Sequence, residues 1–466
     1  MEQLQQGASH RPFGFRDKLG YLFGDFGNDF TFILSSTFLL KFYTDVIGVS
    51  AAVVGLVMML ARFVDAFTDV TMGRICDKSK QTHAGKFKPW LRRMCGPVAI
   101  SSFLIYQSGV ANTPMWFRIV WLVVTYILWG SVFYTSINIP YGSMASAITR
   151  DPSHRQSLST YRTMGGMFAG IIIGGLLPTI VYKNNILQGK TFTVVAGVMS
   201  LLSVGAYLLC YALTTERVKP KISAEAQEKN GVGQLLKNAV KNRALLSIIV
   251  ASIVMLLAQL TLQQMAQYVY PNVYQAADLI AVSTIAMAIG MIVAAGIAKP
   301  LAAKFGKAEI SVVSNLVAAG VCFALFIIRP TNVWVYILLN LLCWFGLGVF
   351  SMVSWALITD VIDYSEIKNG IREDGSIYAL YSFARKLGQA ASAGLVGILL
   401  EFIGYSETTA FDPAITRGIF NISTLVPAFG FLALALVLWF WYPLHKKQVH
   451  QNVETLKKLH EQHHEE

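Results

Sequence analysis

Apolar runs of about 20 residues recur along the chain, broken by short polar segments, and each is long enough to cross a bilayer as a helix. The pattern predicts spans at 18–43, 50–73, 89–110, 116–143, 158–180, 190–214, 243–270, 279–300, 309–329, 332–358, 376–403 and 416–444. Residues 216–241 are polar and charged and interrupt the pattern at its midpoint, so the twelve spans divide six and six. The organisation expected is an N-terminal segment 1–17, a six-helix bundle 18–214, a linker 215–242, a second six-helix bundle 243–444 and a tail 445–466 that is either an interfacial helix or unstructured. This is an all-α membrane protein; a β-barrel would show short alternating segments instead. Composition agrees, with 54% hydrophobic and 14% charged residues and a mean hydropathy of +0.52, outside the range of ordinary soluble domains.

The formal net charge of +12 would suit nucleic acid, but the basic residues fall in alternate loops, and orientation explains them better. The loop with Arg74, Lys78, Lys80, Lys86, Lys88, Arg92 and Arg93, the midpoint linker and the loop with Lys299, Lys304 and Lys307 should face the cytoplasm. Both termini are then cytoplasmic. The first apolar segment is interrupted by polar residues and reads as a retained helix rather than a cleaved leader. Five scattered cysteines suggest no disulfide framework or metal site. All eight histidines fall in expected loops or tails, so any proton carriage inside the membrane rests on carboxylates. No cofactor is expected. Neither a P-loop nor a nucleophile elbow, zinc helix or dinucleotide turn is present, which argues against an ATP-driven pump or an enzyme.

Polar residues inside the spans carry the chemistry. Asp65 and Asp69 lie four apart in LVMMLARFVDAFTDVTMG, one turn after Arg62. On a helix they share a face roughly 6 Å apart and repel by about 3 kcal/mol at an effective dielectric near 20. The pair must therefore hold a proton or a cation, or lean on Arg62 as a structural network. The first span repeats the spacing with Asp25 and Asp29 around Asn28; Asp29 is the candidate for substrate hydroxyls, while Asp25 suits packing or gating equally well. The fourth span carries Tyr134, Thr135, Asn138, Pro140 and Tyr141, the fifth opens with Tyr161 and Arg162, and the eleventh holds Tyr378, Tyr381, Ser382, Arg385 and Lys386. Arg, Asn and Tyr hydrogen-bond sugar hydroxyls, and aromatic faces stack on a pyranose. At the end of the tenth span Asp360, Asp363, Glu366, Lys368 and Arg372 crowd together and suggest an ion-pair gate. The loops GRICDKSKQTHAGKFKPW and AKPLAAKFGKAEI share a Gly-Lys pair and mark a faint repeat between the halves.

The runs YLFGDFGNDF, FYTDVIGVSAAVVG, ARFVDAFTDVTMGRICD, GKFKPW, SINIPYGS and TDVIDYSEIKNGIREDGSIYALYSFARKLGQA together resemble the glycoside–pentoside–hexuronide cation symporters. The similarity covers residues 15–443. It implies a major-facilitator fold in the bacterial cytoplasmic (inner) membrane, moving a sugar with H+, Na+ or Li+ by alternating access. Where sodium-coupled members use two aspartates, an asparagine and a threonine, this chain has Asp65, Asp69, Thr68 and Thr135; threonine in place of asparagine favours H+, with Na+ at Asp65 and Asp69 the alternative. The family's sugar-binding positions match Asp29, Arg162, Tyr134 and Lys386, with Asn138 and Tyr381 beside them. Asn138, Gly142 and Ser351 replace an aspartate and two tryptophans of α-galactoside carriers, which implies a differently shaped cavity. Asp363, Asp360 and Arg372, with Lys86 in the basic loop, form the inner gate. The expectation is a sugar importer acting as a monomer; the alternatives are an uncoupled facilitator or a carrier of lipid-like solutes, and, further off, a sugar sensor or an intramembrane enzyme.

Overall fold

A computed structural model of the chain describes residues 11–218, 242–369 and 374–465. The first part contains helices α1 (Phe15–Phe42), α2 (Ala51–Lys78), α3 (Lys88–Ile105), α4 (Met115–Ile127), α5 (Thr135–Ile148), α6 (Pro152–Ile171), α7 (Leu177–Val181) and α8 (Gly189–Leu213). The second contains α9 (Arg243–Tyr268), α10 (Leu279–Phe305), α11 (Lys307–Ile328), α12 (Val333–Asn369), α13 (Asp374–Phe402), α14 (Pro413–Leu436) and α15 (Lys446–Glu465). Gly14 precedes α1, and Asp151 caps α6 by accepting hydrogen bonds from the backbone N–H groups of Ser153 and His154. Those two bonds hold the exposed Asp151 carboxyl below its ordinary range.

Among the described residues, eleven helical stretches are long and apolar enough to cross a membrane. They coincide with the spans expected from the sequence except the eleventh, where α13 is 29 residues long but carries Arg385, Lys386 and Glu401. Large apolar side chains such as Phe67, Leu201 and Phe402 are exposed on these helices, as lipid-facing positions are and soluble surfaces are not. The tail is helical as α15, with Leu456 and Asn452 buried.

Among the described residues, five π-helical turns interrupt or end the spans: Tyr43–Ile47, Leu128–Tyr134, Ile172–Leu176, Val269–Val273 and Val437–Trp441. Each adds a residue to a turn and rotates the rest of its helix, a distortion frequent at functional sites. One hairpin, β1 (Tyr182–Lys183) with β2 (Ile186–Leu187), turns at Asn184 and Asn185, both at positive φ; asparagine pairs tolerate that turn well.

The chain forms two compact units, Met1–Val49 with Phe63–Ser223, and Ser50–Arg62 with Ala224–Glu466. In the first, α1 packs against α6 and α8, and α3 against α8 and α5. In the second, α9 packs against α13 and α14, α11 against α12 and α14, and α10 against α12, around a core that includes Ile248, Leu347, Phe350 and Phe431. The start of α2 belongs with the second unit because small residues let it lie close to α13: a methyl group on Gly55 would stand 2.8 Å from the Ala393 carbonyl oxygen.

The Gly-Lys loops take the same form in both units. Gly85 and Gly306 have φ of 118° and 106°, a region that favours glycine. In the first unit the buried Glu216, just past α8, accepts hydrogen bonds from the backbone N–H groups of Lys86, Phe87 and Lys88. In the second, Glu309 on α11 accepts from the N–H of Lys446, the first residue of α15. The same tie is thus made twice with acid and donor exchanged.

Candidate functional site

The acidic pair on α2 lies in the first unit, against the π turn Leu128–Tyr134 and the start of α5. Ser131 donates its hydroxyl to Asp65 Oδ1 at 2.5 Å. Thr135 lies within 2.9 Å of Asp69 Oδ1 and 3.1 Å of the Gly130 carbonyl oxygen. Two carboxylates at i and i+4 therefore meet two hydroxyls at i and i+4, one to one. Asp65 is 5% exposed, Ser131 2% and Thr135 4%, so little water competes for these groups. Thr68 turns onto its own helix instead: its hydroxyl donates to the Asp65 main-chain oxygen, 3.2 Å away. Arg62 falls in the other unit.

A second polar cluster lies on α1. Arg162 of α6 donates from Nε to Asp25 Oδ1 at 2.9 Å and stands 5.3 Å from the Tyr141 ring centroid. This guanidinium is committed to Asp25 on one edge and 40% exposed overall. Asp29 reaches the same helix: a methyl group on Gly166 would lie 2.5 Å from Asp29 Oδ2 and 3.3 Å from Asp25 Oδ2. Only glycine leaves room for both carboxylates. Asn28 is fully enclosed, accepts from the Tyr207 hydroxyl at 2.7 Å and donates to Asn138 Oδ1 at 3.4 Å. Tyr134 stacks on Phe32 at 5.8 Å between ring centroids. Tyr21 and Tyr141 bond reciprocally to each other's main-chain oxygens and stack at 4.6 Å.

The remaining expected residues lie elsewhere. Tyr381 is fully buried, packs edge-on against Trp355 at 5.0 Å, and its hydroxyl has no partner among the described residues. Lys386 is half-buried on α13, and Arg385 lies over the Trp355 ring at 5.8 Å. Of the gate, Asp360 pairs with Lys307 at 2.5 Å, a partner at the start of α11 rather than in its own loop. Asp363 is half-buried on α12. Lys86 is tied through its backbone to Glu216. Arg372 lies outside the described residues. Ser131, Glu216 and Lys307 take parts that were not expected of them. Ser131 had one visible signal, because its spacing from Thr135 repeats that of Asp65 and Asp69.

The arrangement is that of a membrane transporter: intramembrane carboxylates with polar partners, on helices otherwise apolar, and, among the described residues, no acid–base pair around a scissile bond. The chain matches the MFS/sugar transport protein family over residues 20–446 and belongs to it; within it the relatives are those of the glycoside–pentoside–hexuronide cation symporters. It is 31% identical over 447 residues to the uncharacterized symporter YjmB of Bacillus subtilis, covering 95% of each chain. It is 28% identical over 458 residues to the glucuronide carrier protein homolog of Escherichia coli, covering 97% of this chain and 98% of that one. The isoprimeverose transporter of Lactiplantibacillus pentosus is 28% identical, with 91% and 88% covered. Among solved structures a D-xylose-proton symporter superposes with a TM-score of 0.65 at 14% identity, over 92% of this chain and 97% of that one, which establishes the fold. The chain is a sugar transporter of the major-facilitator type and not an enzyme.

Proposed function

We propose that this protein imports a glycoside, pentoside or hexuronide by symport with a cation, H+ in preference to Na+, through alternating access. The single observation that carries this reading is the continuity of one helical segment. Ser131 and Thr135 meet the carboxylates of α2, while Tyr134 and Asn138, on the same segment, meet α1 beside Asp29 and Arg162. Neutralising the acidic pair relaxes its repulsion and lets the segment settle against α2, which sets Asn138 and Tyr134 for the sugar. Binding of each ligand then raises affinity for the other by the same factor. Candidate sugar ligands in the first unit are Asp29, Arg162, Tyr134 and Asn138; Lys386 and Tyr381 are further candidates suggested by the family resemblance. The relatives include a glucuronide carrier protein homolog and an isoprimeverose transporter, which supports a sugar as substrate. Thr68 stands where sodium-coupled members have an asparagine and turns its hydroxyl onto its own helix, which supports H+ over Na+. α13 serves as the twelfth span, the termini lie in the cytoplasm of a bacterial cell, and the inner gate rests on Asp360, Asp363, Arg372 and Lys86.

The test is sugar-induced alkalinisation in de-energised cells across a panel of neutral glycosides and glucuronides, with and without Na+. The expected outcome is alkalinisation by one compound without sodium, abolished along with uphill accumulation by Asp65→Asn or Asp69→Asn. Uptake stimulated by Na+ alone, with no pH change, would overturn the preference for H+. Full accumulation in both variants would overturn the assignment of Asp65 and Asp69 as the cation site.

A further inference from the structure

We propose that a groove between the tail helix α15 and the α10–α11 turn binds the headgroup of an anionic phospholipid and so holds the tail on the membrane surface. The site lies wholly in the second unit, apart from the sugar and cation residues.

The groove stands at headgroup depth. α10 ends at Phe305, α11 begins at Lys307 and the π turn after α14 ends at Trp441. Arg243, which opens α9, donates its side chain to the main-chain oxygens of Phe440 and Trp441. Four spans therefore end together, which places their ends at one surface of the bilayer. Phe305, Trp439 and Phe440 are exposed there, as lipid-facing side chains are, and tryptophan is enriched at the headgroup level. α15 starts at the same surface and packs on α11 and α12, with Asn452 and Leu456 buried. Between its first turns and the α10–α11 turn lies a cavity of about 720 Å³.

Charge and apolar surface meet in this cavity. Ala302 and Ala303 line it from α10, and Val449 and Val453 from the tail. Lys307, Lys446 and Lys447 stand around it, and among the described residues Glu309 is the acid that lines it. Lys307 is engaged by Asp360. Glu309 is likewise engaged, accepting the main-chain N–H of Lys446 and lying 3.5 Å from His445 Nδ1. The Lys446 ammonium donates to the main-chain oxygen of Lys304, a neutral acceptor, so it is held at the groove with its charge intact. Lys447 follows it and is exposed. Two cations above an apolar floor match a phosphodiester that carries acyl chains: the phosphate accepts from the lysines, and the chains cover the alanines and valines. A soluble anion would leave that floor bare, and a zwitterionic headgroup would bring a cation of its own to the lysines.

The experiment is native mass spectrometry of the purified full chain in detergent, titrated with phosphatidylglycerol, with phosphatidylcholine and glycerol 1-phosphate as separate arms. Phosphatidylglycerol should bind more tightly than phosphatidylcholine. Its affinity should fall about fivefold in Lys447→Gln and about thirtyfold when Lys446→Gln is added, the loss expected for one and for two cations near a lipid surface. The single variant is read beside the double one because Lys446 also ties the tail to α10. Lys446→Arg with Lys447→Arg should keep the affinity. So should Lys183→Gln with Lys190→Gln, which removes the same charge from the hairpin and the start of α8. Unchanged affinity in Lys447→Gln and in the double variant overturns the site, as does an equal loss in the Lys183 and Lys190 control. Phosphatidylcholine bound as tightly as phosphatidylglycerol overturns the choice of an anionic headgroup, and displacement of the lipid by glycerol 1-phosphate overturns the lipid in favour of a soluble phosphate.

Discussion

Glu216 offers a quantitative test of how the first unit is held at the start of α3. Its carboxylate accepts from the backbone N–H groups of Lys86 at 2.7 Å, Phe87 at 2.9 Å and Lys88 at 2.7 Å. It is 8% exposed. The N–H groups of Phe87 and Lys88 are among those that a helix start leaves without partners, that of Lys86 lies just before them, and the positive end of the helix adds to the attraction. A hydrogen bond to a charged group contributes about 1.5–3 kcal/mol. Glu216→Gln keeps the oxygen that serves Phe87 and Lys88 but turns an amide N–H toward the N–H of Lys86. One charge-assisted bond becomes a donor–donor contact, and the variant should lose about 2 kcal/mol. Glu216→Ala abandons all three donors; with partial relief by water it should lose about 3–5 kcal/mol, less than the sum of three bonds to a charged group. The ordering wild type, Gln, Ala is the essential outcome. Unfolding in mixed micelles by titration with a denaturing detergent, followed by circular dichroism, reads these differences. A Glu216→Gln protein within about 0.5 kcal/mol of wild type would refute the capping argument, because that is the spread expected of an uninvolved surface position.

Three other outcomes are expected from the site. Asp25→Asn and Arg162→Gln should each weaken sugar binding, while the double variant should lose less than their sum by about 1–2 kcal/mol, measured by a double-mutant cycle on sugar affinity; simple additivity would show that the 2.9 Å pair does not couple. Gly166→Ala should lower sugar affinity about tenfold, or about 1.4 kcal/mol, since the new methyl group displaces the Asp29 carboxylate; unchanged affinity with normal expression would remove Asp29 from the binding site. Lys307→Gln should destabilise the second unit by leaving the buried Asp360 without its cation, and Asp360→Asn in the same chain should recover part of the loss. Equal stability of the single and double variants in the same detergent titration would contradict it.

Much of the site is legible in the sequence. Asp65 and Asp69 announce themselves because a carboxylate inside an apolar run is costly wherever the run lies, and Thr135 and Asn138 occupy one helix close to each other. The partners are harder to see. Ser131 and Asp65 are 66 residues apart, Arg162 and Asp25 137 apart, and Glu216 and Lys86 130 apart. Apart from its spacing to Thr135, little distinguishes Ser131 from the other hydroxyls of the chain until α2 is laid beside the π turn. Lys307 likewise reads as one of several loop cations, and only the packing of α11 on α12 delivers it to Asp360.

What the sequence alone determined is the membrane-spanning helical architecture, because the length of an apolar run and the price of a charge within it are properties of the chain and the bilayer. The glycines at Gly85 and Gly306 likewise mark their turns through backbone sterics. Tertiary structure alone decided which hydroxyl serves which carboxylate, where Arg162 directs its charge, that Thr68 turns to its own backbone, and that Ser50–Arg62 packs with the second unit. Each depends on the rotation of one helix against another, set here by π turns and by small residues at close approaches, and no periodicity along a single helix encodes that angle.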